Sequence, residues 1–242
     1  MSRSDAVRVV CAGDSITRGQ VSVDYVELLG RRSHPVPTTF VNAGVNYDVT
    51  STLRRRVGDI VEQRPDVVTV LIGTNDANAT LGESNRRLVT MIRRPPAPLT
   101  REGFRSDLAA VATELRKRTG ARLGLLSLPV IGEDLDSEPL RRSTEFSGVI
   151  REVADATGVS YLPLHERQLA YLREHPRTPG TVYRPGLRLS VTASTQHFML
   201  RRSFDDISRR RGLSLTTDTI HQNSTGAGLI ADVIGEFVAG VG

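Results

Sequence analysis

Short apolar, β-branched runs alternate along this chain with segments whose apolar residues recur every three or four positions. The runs lie at residues 7–12 (VRVVCA), 39–41, 67–72 (VVTVLI), 122–128 (RLGLLSL) and 159–164 (VSYLPL). Each is the length of a buried strand, and the first stops at Gly13. The helical patterns between them cover residues 24–32, 52–63, 104–118 and 146–156, with a last helix over 225–238. In the second of these Leu53, Val57, Ile60 and Val61 share a face; in the third Leu108, Val111, Ala112 and Leu115 do. Strands alternating with amphipathic helices build βαβ units, which predicts an α/β fold: a three-layer α/β/α sandwich around a mostly parallel five-stranded sheet. One such domain uses most of the length.

Two stretches depart from the alternation. Residues 78–101 end in Arg-Arg-Pro-Pro-Ala-Pro, stiff and extended after a short helix. The other, about 166–213, holds no core strand and reads as an insertion placed to cover a site. Within it residues 195–212 read as helical, with Phe198, Phe204 and Ile207 on one face opposite Arg202 and Arg209. Such a face is more often ordinary packing than a lid; its place just before residues 218–221 supports the lid alternative, in which Phe198 and Phe204 are candidate substrate-binding residues.

Composition narrows the class without naming a chemistry. The chain has 242 residues, 24% charged and 38% hydrophobic, enough for a core without staples. A single cysteine, Cys11, excludes a disulfide framework and a Cys-rich zinc site. All but Lys117 of the 32 basic residues are arginine, and the formal net charge is +5. The arginines stand in short clusters among acids and apolar residues, with no interleaved aromatics, so they read as solvated faces and no nucleic-acid partner is expected. The His and acidic residues show no metal-ligand spacing, so no metal and no cofactor is called for. The first ten residues contain no long apolar run, and no stretch nears the roughly 18 apolar residues of a membrane span. A cytoplasmic protein with no membrane span is the expectation; oligomeric state leaves no mark in the sequence.

Candidate chemistry sits in four short words: Gly13-Asp14-Ser15-Ile16-Thr17, Asn42-Ala43-Gly44, Gly73-Thr74-Asn75-Asp76 and Asp218-Thr219-Ile220-His221. The first three each follow a predicted strand, at the carboxyl edge where ligands gather on such sheets. A serine hydroxyl is a weak nucleophile near neutral pH and needs a base held in the right tautomer by a carboxylate. Ser15 stands where free backbone N–H groups open a helix, and Asp218 and His221, three apart, can face one side of a turn. An oxyanion formed in acyl transfer needs preorganised donors. The Ser15 N–H, the Gly44 N–H and the neutral amide of Asn75 qualify. Asp14 and Asp76 read as structural acceptors of loop N–H groups, and His34, His165, His175 and His197 as packing or surface residues.

These words, in their order and spacing, resemble the blocks of the SGNH hydrolases, also called the GDSL esterase/lipase family. The resemblance runs from about residue 7 to 164 and resumes at Asp218. It implies a flavodoxin-like fold, Ser15 as nucleophile with Asp218 and His221, and an oxyanion hole of Ser15, Gly44 and Asn75. It also implies a small-molecule ester substrate, with short acyl esters, acetylated sugars and lysolipids as candidate classes. One departure stands out: where the family often has a second glycine after block two, this chain reads Val45-Asn46-Tyr47-Asp48, so Tyr47 is expected to narrow the pocket and touch substrate. The same site serves acyl transfer to another acceptor, and a binding protein on an inactive hydrolase frame is the reading from another class.

Overall fold

The computed structural model describes residues 6–240. In chain order, β1 (Val7–Gly13) leads to α1 (Ser15–Arg18) and α2 (Tyr25–Gly30), and β2 (Thr38–Gly44) to α3 (Thr50–Arg55) and α4 (Val57–Glu62). After β3 (Val67–Leu71) come α5 (Thr74–Ala79), α6 (Glu83–Arg93) and α7 (Arg101–Thr119), and after β4 (Arg122–Leu126) comes α8 (Glu138–Thr157). Last are β5 (Ser160–Leu162), α9 (Leu164–Glu174), α10 (Arg188–Phe198), α11 (Phe204–Arg210) and α12 (Ser224–Ala239).

The five strands form one sheet in the order β2-β1-β3-β4-β5, every pairing parallel. Successive strand residues point to opposite faces. Val10, Ala12, Val68, Val70 and Leu125 face a core closed by α3, α4, α7 and α8, where Leu53, Ile60, Leu108, Val111, Phe146 and Ile150 pack. Val9, Cys11, Val67, Leu71 and Leu162 face the second core under α2 and α12, with Tyr25, Leu29, Ile230 and Ile234. Burial on both faces explains the nearly unbroken apolar runs of the strands.

The strand order reverses around β1, so the chain leaves β1 and β3 towards opposite faces and opens a crevice at their carboxyl ends. The register sets those ends level: Gly13 pairs with Gly44 on one side and with Leu71 on the other. Gly13 is required there, because a β-carbon would collide with Leu71 O and the Thr17 hydroxyl.

Three expected elements differ. The single helix over 52–63 is two, α3 and α4, broken at Arg56 (φ −112°, ψ 20°), whose side chain is drawn to the strand ends. The helix expected over 195–212 is also two. Arg201 adopts a left-handed φ of 52°, and Ser203 begins α11 by accepting the Asp206 N–H, a helix-start signal inside the stretch read as continuous. Finally, α9 occupies the start of the expected insertion yet belongs to the frame, with His165 and Gln168 buried against it.

Phe146 is 1% exposed and its ring lies 4.9 Å from that of Phe104. Replacing Phe146 with alanine is expected to cost about 3–5 kcal/mol. Urea unfolding monitored by circular dichroism checks this; a midpoint equal to wild type would remove Phe146 from the core.

Candidate active site

Ser15 is the first residue of α1, one step past the Gly13-Asp14 turn that ends β1. Asp14 caps that helix by accepting the Ile16 N–H at 3.0 Å. The Ser15 Oγ lies 3.0 Å from His221 Nε2, and His221 Nδ1 lies 2.7 Å from Asp218 Oδ2. Asp218 accepts only, so Nδ1 carries the proton and donates to it, which leaves Nε2 of the neutral ring to accept the Ser15 hydroxyl proton. Oδ1 of Asp218 accepts the backbone N–H groups of Ile220 (3.1 Å) and His221 (2.8 Å). That tight turn requires Thr219 at φ 77°.

The loop carrying this pair is fastened from below. Glu133, 6% exposed, accepts the N–H groups of Ser214, Leu215 and Thr216 and the Thr216 hydroxyl. Its neighbour Gly132 donates its N–H to Thr219 O at 2.8 Å. Thr217 N–H bonds back to His221 O at 2.7 Å, closing the loop on itself.

The opposite wall is built around Asp48, which is fully buried. Its carboxylate pairs with Arg56 (2.7 Å) and Arg93 (2.6 Å), and Arg56 also donates to Ala43 O (2.9 Å) and Gly13 O (3.0 Å). The Asp48 carbonyl accepts one N–H of the Asn75 amide at 3.0 Å, which orients Asn75 and leaves its second N–H for the cavity it lines. Asp76 accepts from the Thr50 N–H and hydroxyl. Burial pushes the Asp14 and Asp76 carboxyls up to about 7.

Gly44 does not reach the cavity. Its N–H donates to Asn42 Oδ1 at 3.0 Å, and the absence of a side chain serves packing, since a β-carbon would collide with the Arg18 backbone. Tyr47 stands on the cavity wall in its place. It holds a left-handed φ of 60°, and its N–H makes none of the hydrogen bonds found among the described residues.

A cavity of about 280 Å³ joins the two walls. Ser15, Tyr47, Asn75, Asp218 and His221 border it, together with Leu88 and Val89 of α6 and the stretch from Arg184 to Thr195. Phe198 and Phe204 do not. Phe198 is 60% exposed, whereas Phe204 is buried with Ala193 and Ile207 and stacks on His197 with ring centroids 4.0 Å apart. Of that face Phe204 and Ile207 form the packing seam between α10 and α11 with Ala193, the ordinary-packing reading, while Phe198 stays outside it, and the start of α10 reaches the cavity. Arg56 and Glu133 escaped the sequence reading because a charge in a basic cluster or a loop looks the same whether solvated or buried.

Burial depresses the basicity of His221, but the Asp218 charge and hydrogen bond outweigh it, with a smaller contribution from Asp14, so its pKa is raised above 6.5. Burial raises the Asp218 carboxyl, and its interactions with His221 outweigh that and hold it below the ordinary carboxylate range. Among the described residues no group of three or more His, Cys, Asp or Glu is placed to hold a metal ion, and no helix is long and apolar enough to cross a membrane.

The GDSL-like lipase/acylhydrolase family matches residues 11–191 of the chain, a span that ends short of Asp218 and His221. No curated protein matches it in sequence. Among solved structures it is similar to the acetyl xylan esterase AlAXEase, at 20% identity and a TM-score of 0.65, covering 96% of this chain and 100% of that one. It is also similar to Axe2, an acetylxylan esterase from Geobacillus stearothermophilus, at 16% identity and a TM-score of 0.65, covering 96% and 94%. A lipase/acylhydrolase from Enterococcus faecalis matches at 20% identity and a TM-score of 0.58, covering 97% and 96%.

The imidazole of His221 is expected to titrate above pH 6.5, and Asp218→Asn to lower that midpoint by removing the charge that raises it. Two-dimensional NMR of the ring protons across pH 5–9 reads both. A midpoint left in place by Asp218→Asn would mean that Asp218 does not hold the ring.

Proposed function

The chain belongs to the GDSL-like lipase/acylhydrolase family, and from that premise we propose that it hydrolyses carboxylic esters through an acyl-enzyme on Ser15. The observation that carries this reading is the unbroken chain of hydrogen bonds from Asp218 through His221 to the Ser15 hydroxyl. Structures of Axe2 described as catalytic mutants carry alanine in place of a serine, of an aspartate and of a histidine three positions after that aspartate. Asp218 and His221 have the same spacing.

In this reading the Ser15 Oγ attacks the ester carbonyl while His221 Nε2 takes its proton. Asp218 keeps the ring in the Nδ1–H tautomer and stabilises the imidazolium. The carbonyl oxygen becomes an oxyanion, met by the Ser15 N–H and the free N–H of Asn75. For the third donor the geometry favours the Tyr47 N–H over that of Gly44, which is already bonded to Asn42. Collapse breaks the C–O bond, and the imidazolium returns its proton to the leaving alcohol. Water then enters, His221 takes one of its protons, and hydroxide adds to the acyl carbon. A second collapse breaks the bond to Ser15 Oγ, which takes back the imidazolium proton, and the acid is freed.

Ser15→Ala is expected to abolish turnover of p-nitrophenyl esters and labelling by a fluorophosphonate, read as an absent mass shift on the intact protein. Asn75→Ala is expected to lower kcat by about 10²–10³ while the protein stays folded. Full labelling of the Ser15→Ala protein would overturn the nucleophile assignment, and near-wild-type kcat in Asn75→Ala the oxyanion assignment.

A further inference from the structure

We propose that the acyl half of this site is built for a straight aliphatic chain of medium length and not for an acetyl group carried on a sugar. The inference rests on the ester-hydrolase reading above and concerns the aliphatic wall of the same cavity.

Three separate parts of the chain supply aliphatic side chains to it. Leu88 and Val89 come from α6, Leu187, Leu189 and Val191 from the wall at the start of α10, and Ile220 from the turn beside His221. Apart from Asp218 and His221, the charged side chain on the cavity is Arg184, which is exposed. Several polar groups beside this wall are bonded to one another, while the Asn46 Oδ1 and the Thr74 hydroxyl, also on the cavity, have no hydrogen-bond partner. Asn85 Nδ2 donates to Asn78 and contacts the Tyr183 hydroxyl, and Asn85 Oδ1 accepts the Gly186 N–H at 2.7 Å. The hydroxyls of Ser190 and Thr195 bond back to Leu187 O and Val191 O. A sugar ring also needs flat aromatic faces to stack on. Tyr47 is the single aromatic on the wall, and the chain contains no tryptophan.

The wall is also fixed in place. The Asn78–Asn85–Tyr183 cluster ties it to α5 and α6, and Arg211 ties its other end to the site by donating to Leu189 O (3.1 Å), the Thr192 hydroxyl (2.7 Å) and Thr217 O (2.8 Å). A preformed cavity of about 280 Å³ lies near the lower end of the roughly 300–1,000 Å³ range of small-molecule sites, and an acetyl group leaves most of it empty. The acyl group stays covalently attached to Ser15 through both half-reactions, whereas the alcohol must depart. The aliphatic wall therefore serves the acyl chain.

The test uses two substrate series. In the first the leaving group is p-nitrophenol and the acid runs from acetate through butyrate, hexanoate and octanoate to decanoate. In the second the acid is acetate and the alcohol lengthens. In the acyl series kcat/KM is expected to climb about fourfold per methylene, which corresponds to ~0.8 kcal/mol for each buried CH₂, and then to level off. The alcohol series is expected to stay flat. Leu187→Phe, which fills the cavity, and Val191→Asp, at an exposed wall position that folding tolerates, are each expected to lower the octanoate-to-acetate ratio about tenfold. Val191→Leu is expected to keep that ratio. Highest activity on acetate, a response in the alcohol series alone, or a ratio unmoved by both substitutions would overturn the acyl assignment while leaving ester hydrolysis standing. Inactivity on every ester of both series would overturn the hydrolase reading, and this inference with it.

Discussion

The pairing of Asp48 with Arg56 holds together the part of the molecule on which the rest of the site depends. Burying a carboxylate and a guanidinium costs each its hydration, and that cost is recovered only where the remaining donors and lone pairs are also used. Here they are. Arg56 spends Nε on Asp48 and its two terminal nitrogens on Ala43 O and Gly13 O, at the ends of β2 and β1. Asp48 takes Arg93 and the Thr52 hydroxyl as well. One guanidinium thus joins the strand end that precedes Ser15 to the loop that carries Tyr47. The Asp48 carbonyl passes the constraint on to Asn75. The three groups that the proposed reaction sets against the substrate carbonyl come from three strand ends and share a single brace.

The acid–base half is built independently and brought in from the far end of the chain. Its brace is a carboxylate without a cationic partner among the described ion pairs: Glu133 satisfies its charge with backbone N–H groups of residues 214–216 and one hydroxyl. Hydrogen bonds to an ionised acceptor are stronger than neutral ones, and three successive amides converging on one carboxylate fix the backbone just ahead of Asp218. The left-handed turn at Thr219, costly for a β-branched residue, is then held by the Gly132 N–H on its carbonyl. The strain brings His221 back over Asp218 and within reach of Ser15.

How far the sequence foretold this follows from the kind of signal each feature leaves. The strands were legible because burial on both faces writes an unbroken apolar run, and Ser15, Asn75, Asp218 and His221 because each sits in a short word beside a predicted element. The structure places those four around one cavity. Arg56 and Glu133 were not legible, since only the third dimension separates a buried charge from its solvated neighbours at Arg54 and Arg55. Gly44 misled for a physical reason: a glycine signals close approach, but the partner approached is the backbone at Arg18 and not a ligand. The positive φ fell instead on Tyr47, where a bulky residue argues against it. Phe198 and Phe204 share an apparent face only if their segment is one helix, and Arg201 and Ser203 break it.

Charge explains why these pieces tolerate one another. Asp14, Asp48, Asp76 and Asp218 are all buried at one sheet edge, where an oxyanion forms in the proposed reaction, and four full negative charges there would oppose it. Asp48 is neutralised by two arginines, and Asp218 is coupled to His221. Asp14 and Asp76 lack cations among the described ion pairs, and burial pushes both up to about 7, so near neutrality each is partly protonated. The field of Asp14 in turn helps raise His221. Asp14 and Asp76 are thus held to their protons more firmly than exposed carboxyls are, and Asp14 and His221 act on one another through their charges. In the proposed reaction, loss of a proton frees His221 to act as a base, while loss of protons from the two carboxyls adds charge that resists the oxyanion.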